Sequence, residues 1–498
     1  MNRIFFFFLL GCFSAVAAQD FQTPLQKNGY TRPSSYEELS DFVEQMDASS
    51  DLLTVETAGK SVQGRNIYAM KFSSSVFGED KSKIRVLLFA QQHGNEQSGK
   101  DGALLLALEL LKPENRYLLN RIDLLLVPLV NADGSEENKR RNGNDADLNR
   151  NHLILTEPET ITLHRLFDQY LFDVTMDVHE YFPYGETWRK YGYRNNSDEL
   201  LGTASNINVS EKLRELSTES FLPFMKEFFD ERNISSSIYS PGGPPEIEYI
   251  RHSTFDINDG RQSFAILNTF SFIQEGLNGQ DAFADNIKHR AEGQMTGMRG
   301  LLEYAYNNCR TIKKTVAGER KKLIRGTAGK TVSIQNEHVS DGRTLAMPLY
   351  SYYSNTDTVV TVIDYRPVVR SLYDVEKPCG YLIPKELNDV TGWVERHALE
   401  TENFNGGDRY RIEQYEISSI DSIDFEGDIT VNPAVTSHDQ DVKINFSDYV
   451  YVPTSQLKGN MIVIALEPKS MLGLVTYPLF ANLLRSGEKF PILRVNKK

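Results

Sequence analysis

Apolar residues in this chain gather first into short unbroken runs and only second into amphipathic stripes. Residues 84–90, IRVLLFA, are apolar except for Arg85, the pattern of a strand covered on both faces. Runs of the same kind recur at 122–130, 172–178 and 264–273. Between them, stretches at 98–111, 158–170, 211–230 and 280–308 have helical character, the first rich in Ala and Leu. Strands alternating with helices predict an α/β domain, a mixed central sheet flanked by helices. From about residue 331 the pattern changes. Residues 358–363 and 458–466 read as strands and 385–397 as one helix, so 331–498 is expected to form a smaller, strand-rich accessory domain.

The two ends of the first domain are marked differently. Residues 1–18, MNRIFFFFLLGCFSAVAA, carry Arg3, an apolar stretch and the small residues Ala15, Ala17 and Ala18. That is the make-up of a cleaved secretory signal, and it predicts export to a periplasmic or extracellular space. The alternative is a lipoprotein-type site at Cys12, which ranks second because apolar residues after Cys12 would make an odd tether. No other segment is long and apolar enough to span a membrane. The predicted domain thus runs over 19–310. Residues 310–330 hold eight basic residues and a single acidic one, Glu319, and 311–330 reads as a solvated helix end and linker. With the signal removed, Cys309 and Cys379 remain, and a bridge and two separate thiols are equally open. The net charge of −14 excludes a nucleic-acid partner, which requires clustered basic charge.

Chemistry enters where the first strand ends. Gln92-His93-Gly94-Asn95-Glu96 opens a helix, and a His and a Glu three apart there lie on one side of the turn. Imidazole nitrogen and carboxylate oxygen are both zinc donors, and a catalytic zinc takes three protein ligands and a water. A third donor, His179, stands at the exit of the third strand, and a candidate base, Glu275, at the exit of the fourth. Sites in such sheets form at the carboxyl ends of strands. Between these residues lie Asn131-Ala132-Asp133-Gly134, Arg140-Arg141-Asn142 and Asp147-Leu148-Asn149-Arg150-Asn151. H-E-x-x-H is absent, since Pro183 stands where the second His would be; H-x-x-E-H is absent because Gln97 follows Glu96.

In this order, H-x-x-E, N-x-D-G, Arg, D-L-N-R-N, D-x-H and a late Glu, the chain resembles the zinc metallocarboxypeptidase family typified by carboxypeptidase A. The likeness extends over about residues 30–310; the tail is more loosely similar to the extra domain of some bacterial members. The resemblance implies one Zn²⁺ held by His93, Glu96 and His179, with Asp147 on the far nitrogen of His93. It implies Asn149 and Arg150 on the free carboxylate of a peptide substrate, Arg140 (or Arg141, if the alignment slips by one) on the scissile carbonyl, and Glu275 as general base. A cell-wall stem peptide is one candidate substrate.

Several positions depart from the family pattern. Where a tyrosine should close over substrate, the chain has Ser253, Thr254 and Phe255, with Tyr239 and Tyr249 nearby and unassigned. Arg261 falls near the specificity pocket, where it could read an acidic side chain or form an ordinary surface ion pair. Glu180, beside His179, is a candidate for tuning the site or for a plain structural role. The remaining histidines, 152, 164, 252, 289, 338, 397 and 438, read as surface or core residues. Two rival functions stand beside the peptidase: a deacylase of the same fold acting on N-acyl amino acids, and a non-catalytic peptide- or glycan-binding protein.

Overall fold

The computed structural model describes residues 21–440 and 444–498; the signal segment and Cys12 lie outside them. The strands up to residue 280 are β1 (Leu53–Lys60), β2 (Asn66–Phe72), β3 (Ile84–Ala90), β4 (Ile122–Val127), β5 (Val174–Tyr181), β6 (Tyr193–Asn195), β7 (Glu199–Thr203), β8 (Ser236–Ile238), β9 (Ile250–Arg251) and β10 (Phe270–Leu277). Eight of them form one sheet in the order β1-β2-β4-β3-β5-β10-β7-β8. Its centre, β4-β3-β5-β10, is parallel throughout; β1 and β2 run antiparallel to their neighbours, and β7 is antiparallel to β10 and parallel to β8. The nearly continuous burial of β3, β4, β5 and β10 is why their sequences lack polar alternation. The chain leaves β3 for β4 on one side and returns to β5 on the other, so β3 stands at the switch point, where loops diverge and leave a crevice.

Helix Ser98–Leu111 packs against the long helix Ile287–Ile324, and helix Pro158–Tyr170 lies against β1. The stretch 264–273, expected to be one strand, divides in two. Asp259 caps a short helix, Gly260–Ala265, by accepting from the Gln262 N–H at 2.5 Å. Asn268 then turns the chain at φ 53° into β10. The basic stretch 311–330 is helical through Ile324 and packs inward, with Ile312, Val316 and Leu323 buried. Arg320 explains part of its charge, donating to the carbonyls of Phe172 (2.6 Å), Leu171 (3.0 Å) and Leu267 (3.2 Å). It clamps the backbone leading into β5 and β10.

The tail is rich in strands, including a five-stranded sheet, but it shares the core of the first region. Trp393 and Ile462 belong to the same apolar cluster as Leu87 and Phe264. Strand Leu345–Ser351 pairs with β6, and Tyr365–Arg366 with β9. Residues 458–466 correct a strand expectation: Gly459–Leu466 is a helix buried along its whole length. A helix enclosed on every side has no polar stripe, so its β-branched, unbroken apolar run imitates a strand. Among the described residues Cys309 and Cys379 are both free. Among the described residues no helix is long and apolar enough to cross a membrane.

Candidate metal centre and its pocket

The turn after β3 is held from below by the Asn131–Gly134 turn that follows β4. Asn131 donates to the Gln92 carbonyl at 3.0 Å and accepts from the Gly134 N–H at 2.8 Å. Gly94 sits so close that a Cβ would come within 2.4 Å of the Gly134 carbonyl oxygen. Any larger residue would push the His93 turn off its support. The N-A-D-G motif is therefore a platform for the turn carrying His93 and Glu96.

Glu96 faces both histidines, its Oε1 2.7 Å from His93 Nδ1 and its Oε2 2.8 Å from His179 Nδ1. The two Nδ1 atoms are 3.1 Å apart. On the far side of each ring stands a carboxylate, Asp147 Oδ1 at 3.2 Å from His93 Nε2 and Asp177 Oδ1 at 2.9 Å from His179 Nε2. Asp147 keeps the His93 proton on Nε2, and the Nδ1 atoms of both rings are the ones that converge. Two imidazole nitrogens and a carboxylate crowded together call for a cation among them. One donor atom from each of His93, Glu96 and His179 lies within 4.8 Å of the others, and this donor set suits zinc. Burial opposes protonation of His179, yet Asp177 and Glu96 hold it well above its ordinary value.

Glu275 stands beside His179 in the β10–β5 register and is 8% exposed. Its carboxylate accepts no hydrogen bond from the described residues. Burial pushes it up to about 7, with His179 opposing and Glu96 adding. Arg140 bonds Asp147 Oδ2 through Nε at 3.0 Å and brings Nη1 to 3.2 Å from His93 Nδ1. Arg141, the alternative at this position, points away: it is exposed, donates to the Asp145 carbonyl at 2.9 Å, and does not line the pocket. Neighbouring side chains diverge in this loop, where the Arg140 carbonyl receives the Gly94 N–H.

Asn149, Arg150, Tyr239, Thr254, Arg261 and Glu275 line one cavity of about 540 Å³ with His93, Glu96 and Arg140. Asn149 Oδ1 accepts from the Gly260 N–H at 2.8 Å, which turns its amide toward His179 Nε2, 3.3 Å away. Arg261 is no surface ion pair. It is buried, held by Asp259 at 2.8 Å and Ser253 at 2.5 Å, and its Nε has no partner among the described residues. Of the two unassigned tyrosines, Tyr239 is in the wall, its ring 5.8 Å from the Arg261 guanidinium, while Tyr249 lies under Arg366 at 3.8 Å. The Glu180 carboxylate is occupied by Arg290 (2.6 Å) and Ser98 (2.5 Å). A larger, mostly apolar cavity of about 690 Å³ between Leu222, Met347 and Tyr365 holds no comparable cluster. Asp177 was visible in the sequence within Asp177-Val178-His179, since residues two apart on a strand share a face, but its role was not assigned.

Residues 39–220 match the zinc carboxypeptidase family Peptidase_M14, a stretch that holds His93, Glu96, Asn149, Arg150 and His179 and stops short of Glu275. Carboxypeptidase 2 of Trichophyton rubrum is 23% identical over 484 residues, covering 94% of this chain and 88% of its own. Human carboxypeptidase D is 30% identical over 142 residues, 24% of this chain and 10% of that one. A metallo-carboxypeptidase structure from Burkholderia cenocepacia superposes with a TM-score of 0.45 at 16% identity, covering 56% of this chain and 71% of that one. Over residues 39–220 the chain thus matches the zinc carboxypeptidase family, and the relatives that it resembles along most of its length are carboxypeptidases.

Proposed function

We propose that the chain is an exported zinc carboxypeptidase that hydrolyses the last amide bond of a peptide. The observation that carries this is the convergence of His93, Glu96 and His179, beside a cavity lined by Glu275, Asn149 and Arg150. A bound Zn²⁺ would polarise the carbonyl and lower the pKa of water from 15.7 to about 7. Glu275, buried and with its pKa raised to about 7, is suited to take a proton from the attacking water and return it to the leaving amine. Asn149 and Arg150 bind the substrate's terminal carboxylate, a fork-to-carboxylate pairing that fixes which bond lies over the metal. Arg140, tethered by Asp147, reaches the carbonyl oxygen as negative charge develops there. Arg261 forms the floor beneath the terminal side chain.

Purified protein, zinc-loaded or chelated, should be tested on peptides with free and amidated C-termini. Hydrolysis is expected only for the free termini, with loss on chelation and recovery on adding zinc. Equal cleavage of amidated peptides would remove Arg150 from its role.

A further inference from the structure

Behind His179 a line of buried polar side chains runs away from the pocket, and the hydrolytic chemistry uses none of them. Asp177 sets Oδ1 2.9 Å from His179 Nε2 and accepts from Gln92 Nε2 on Oδ2 at 2.8 Å. Gln92 Oε1 lies 2.7 Å from His152 Nε2, and His152 Nδ1 lies 3.0 Å from His164 Nε2. All five side chains are buried, Gln92, His152 and Asp177 completely.

The donors and acceptors in this line permit one direction only. Asp177 can only accept, so Gln92 must turn its amide nitrogen toward it; that nitrogen also faces Asn149 Oδ1 at 3.3 Å. The opposite flip would set oxygen against oxygen on both contacts. Gln92 Oε1 then needs a proton from His152 Nε2, which leaves His152 Nδ1 to accept from His164. Each link fixes the next, and the line as a whole holds Asp177 with its Oδ1 against the Nε2 edge of the His179 ring, leaving Nδ1 toward His93 and Glu96. Gly260 protects the line, because a Cβ there would lie 2.5 Å from Asp177 Oδ2 and 2.7 Å from Gln92 Nε2.

We infer that Gln92 and His152, backed by His164, are positioning residues for metal binding, holding Asp177 and through it the ring orientation of His179. This rests on the zinc reading above. Outer partners of metal-bound histidines typically account for about 10–100-fold in metal affinity.

The test uses the full-length chain and measures Zn²⁺ affinity by chelator competition, the visible spectrum of the Co²⁺-substituted protein, and the melting temperature of the metal-free protein. Gln92→Leu is expected to weaken zinc about 10–100-fold and to shift the cobalt bands. Gly260→Ala, which changes no member of the line, should do the same by wedging Gln92 from Asp177. His152→Phe keeps a ring against Phe264 and should weaken zinc less; it carries the test if Gln92→Leu does not fold. Variants that melt earlier yet keep wild-type zinc affinity and cobalt spectrum would make the line a packed polar core and overturn the inference. A wild-type chain that binds no zinc would instead overturn the zinc reading itself.

Discussion

Two buried polar clusters, one in each region of the molecule, are built in opposite ways. In the strand-rich tail, Arg494 sets Nε 3.0 Å from Glu467 Oε1 and Nη1 3.1 Å from Glu413 Oε2, and Nη2 donates to the Glu376 carbonyl at 2.6 Å. Tyr381 donates to the same Glu467 oxygen at 2.7 Å, and Asn496 closes on Glu413 at 2.6 Å. Charge is matched inside the cluster, and of the Arg494 nitrogens only Nε lacks a hydrogen bond to the described residues. At the carboxyl ends of β3, β5 and β10 the polar groups are equally buried but point inward at a shared centre. The two Nδ1 atoms face each other at 3.1 Å, and Glu275 receives no hydrogen bond from the described residues. A closed cluster holds elements together, whereas an open one has capacity left for a ligand. Burial alone does not separate them. The distinguishing feature is whether the donors and acceptors end on one another.

Glu275→Gln should produce the largest change, a fall in kcat of about 10²–10⁴, with zinc content and folding unaltered by metal analysis and circular dichroism. Arg494→Met leaves Glu467 and Glu413 buried without their partner and should cost about 3–5 kcal/mol of stability, read from denaturant midpoints. Its zinc affinity and its turnover while folded should stay at wild-type values, and loss of zinc in this variant would erase the distinction between the clusters. Arg150→Ala should lower kcat/KM on free-carboxylate peptides on the order of 10²-fold, the weight of one or two charge-assisted hydrogen bonds. The half-buried His289–Asp198 pair, 2.6 Å apart, supplies the small end of the scale. Its hydrogen bond to Asp198 raises the His289 pKa. The stabilisation is therefore fully present below the unfolded-state pKa of about 6.5 and lost as pH rises through the higher folded value. Solvent screening limits it to about 0.2–1 kcal/mol. His289→Gln should differ from wild type in stability at pH 5.5 and match it at pH 9.

Much of the site was legible because its signals are local. His93 and Glu96 share a turn, Asp177 and His179 share a strand face, and the D-L-N-R-N stretch holds its own spacing whatever surrounds it. The helix at Gly459–Leu466 and the one at Gly260–Ala265 were not legible. Enclosure by neighbours removes the polar positions that reveal a helical period, so an apolar run there carries no mark of its conformation. The basic stretch through Ile324 misled for the reverse reason, since Arg320 is charged yet spends its donors on backbone carbonyls in the interior.

By itself the sequence determined which strands would be buried, which turns would present imidazole and carboxylate, and the spacing within each of those pieces. Only the tertiary structure decided that β5 lies between β3 and β10, and so brought residues 93, 179 and 275 to one point. It also turned Arg140 rather than Arg141 toward the pocket, buried Arg261, and threaded Gln92 and His152 behind His179. Spacing along a turn or strand is set by a few backbone angles of neighbouring residues. Pairing between distant strands is set by the burial of whole faces, which no single stretch of chain contains.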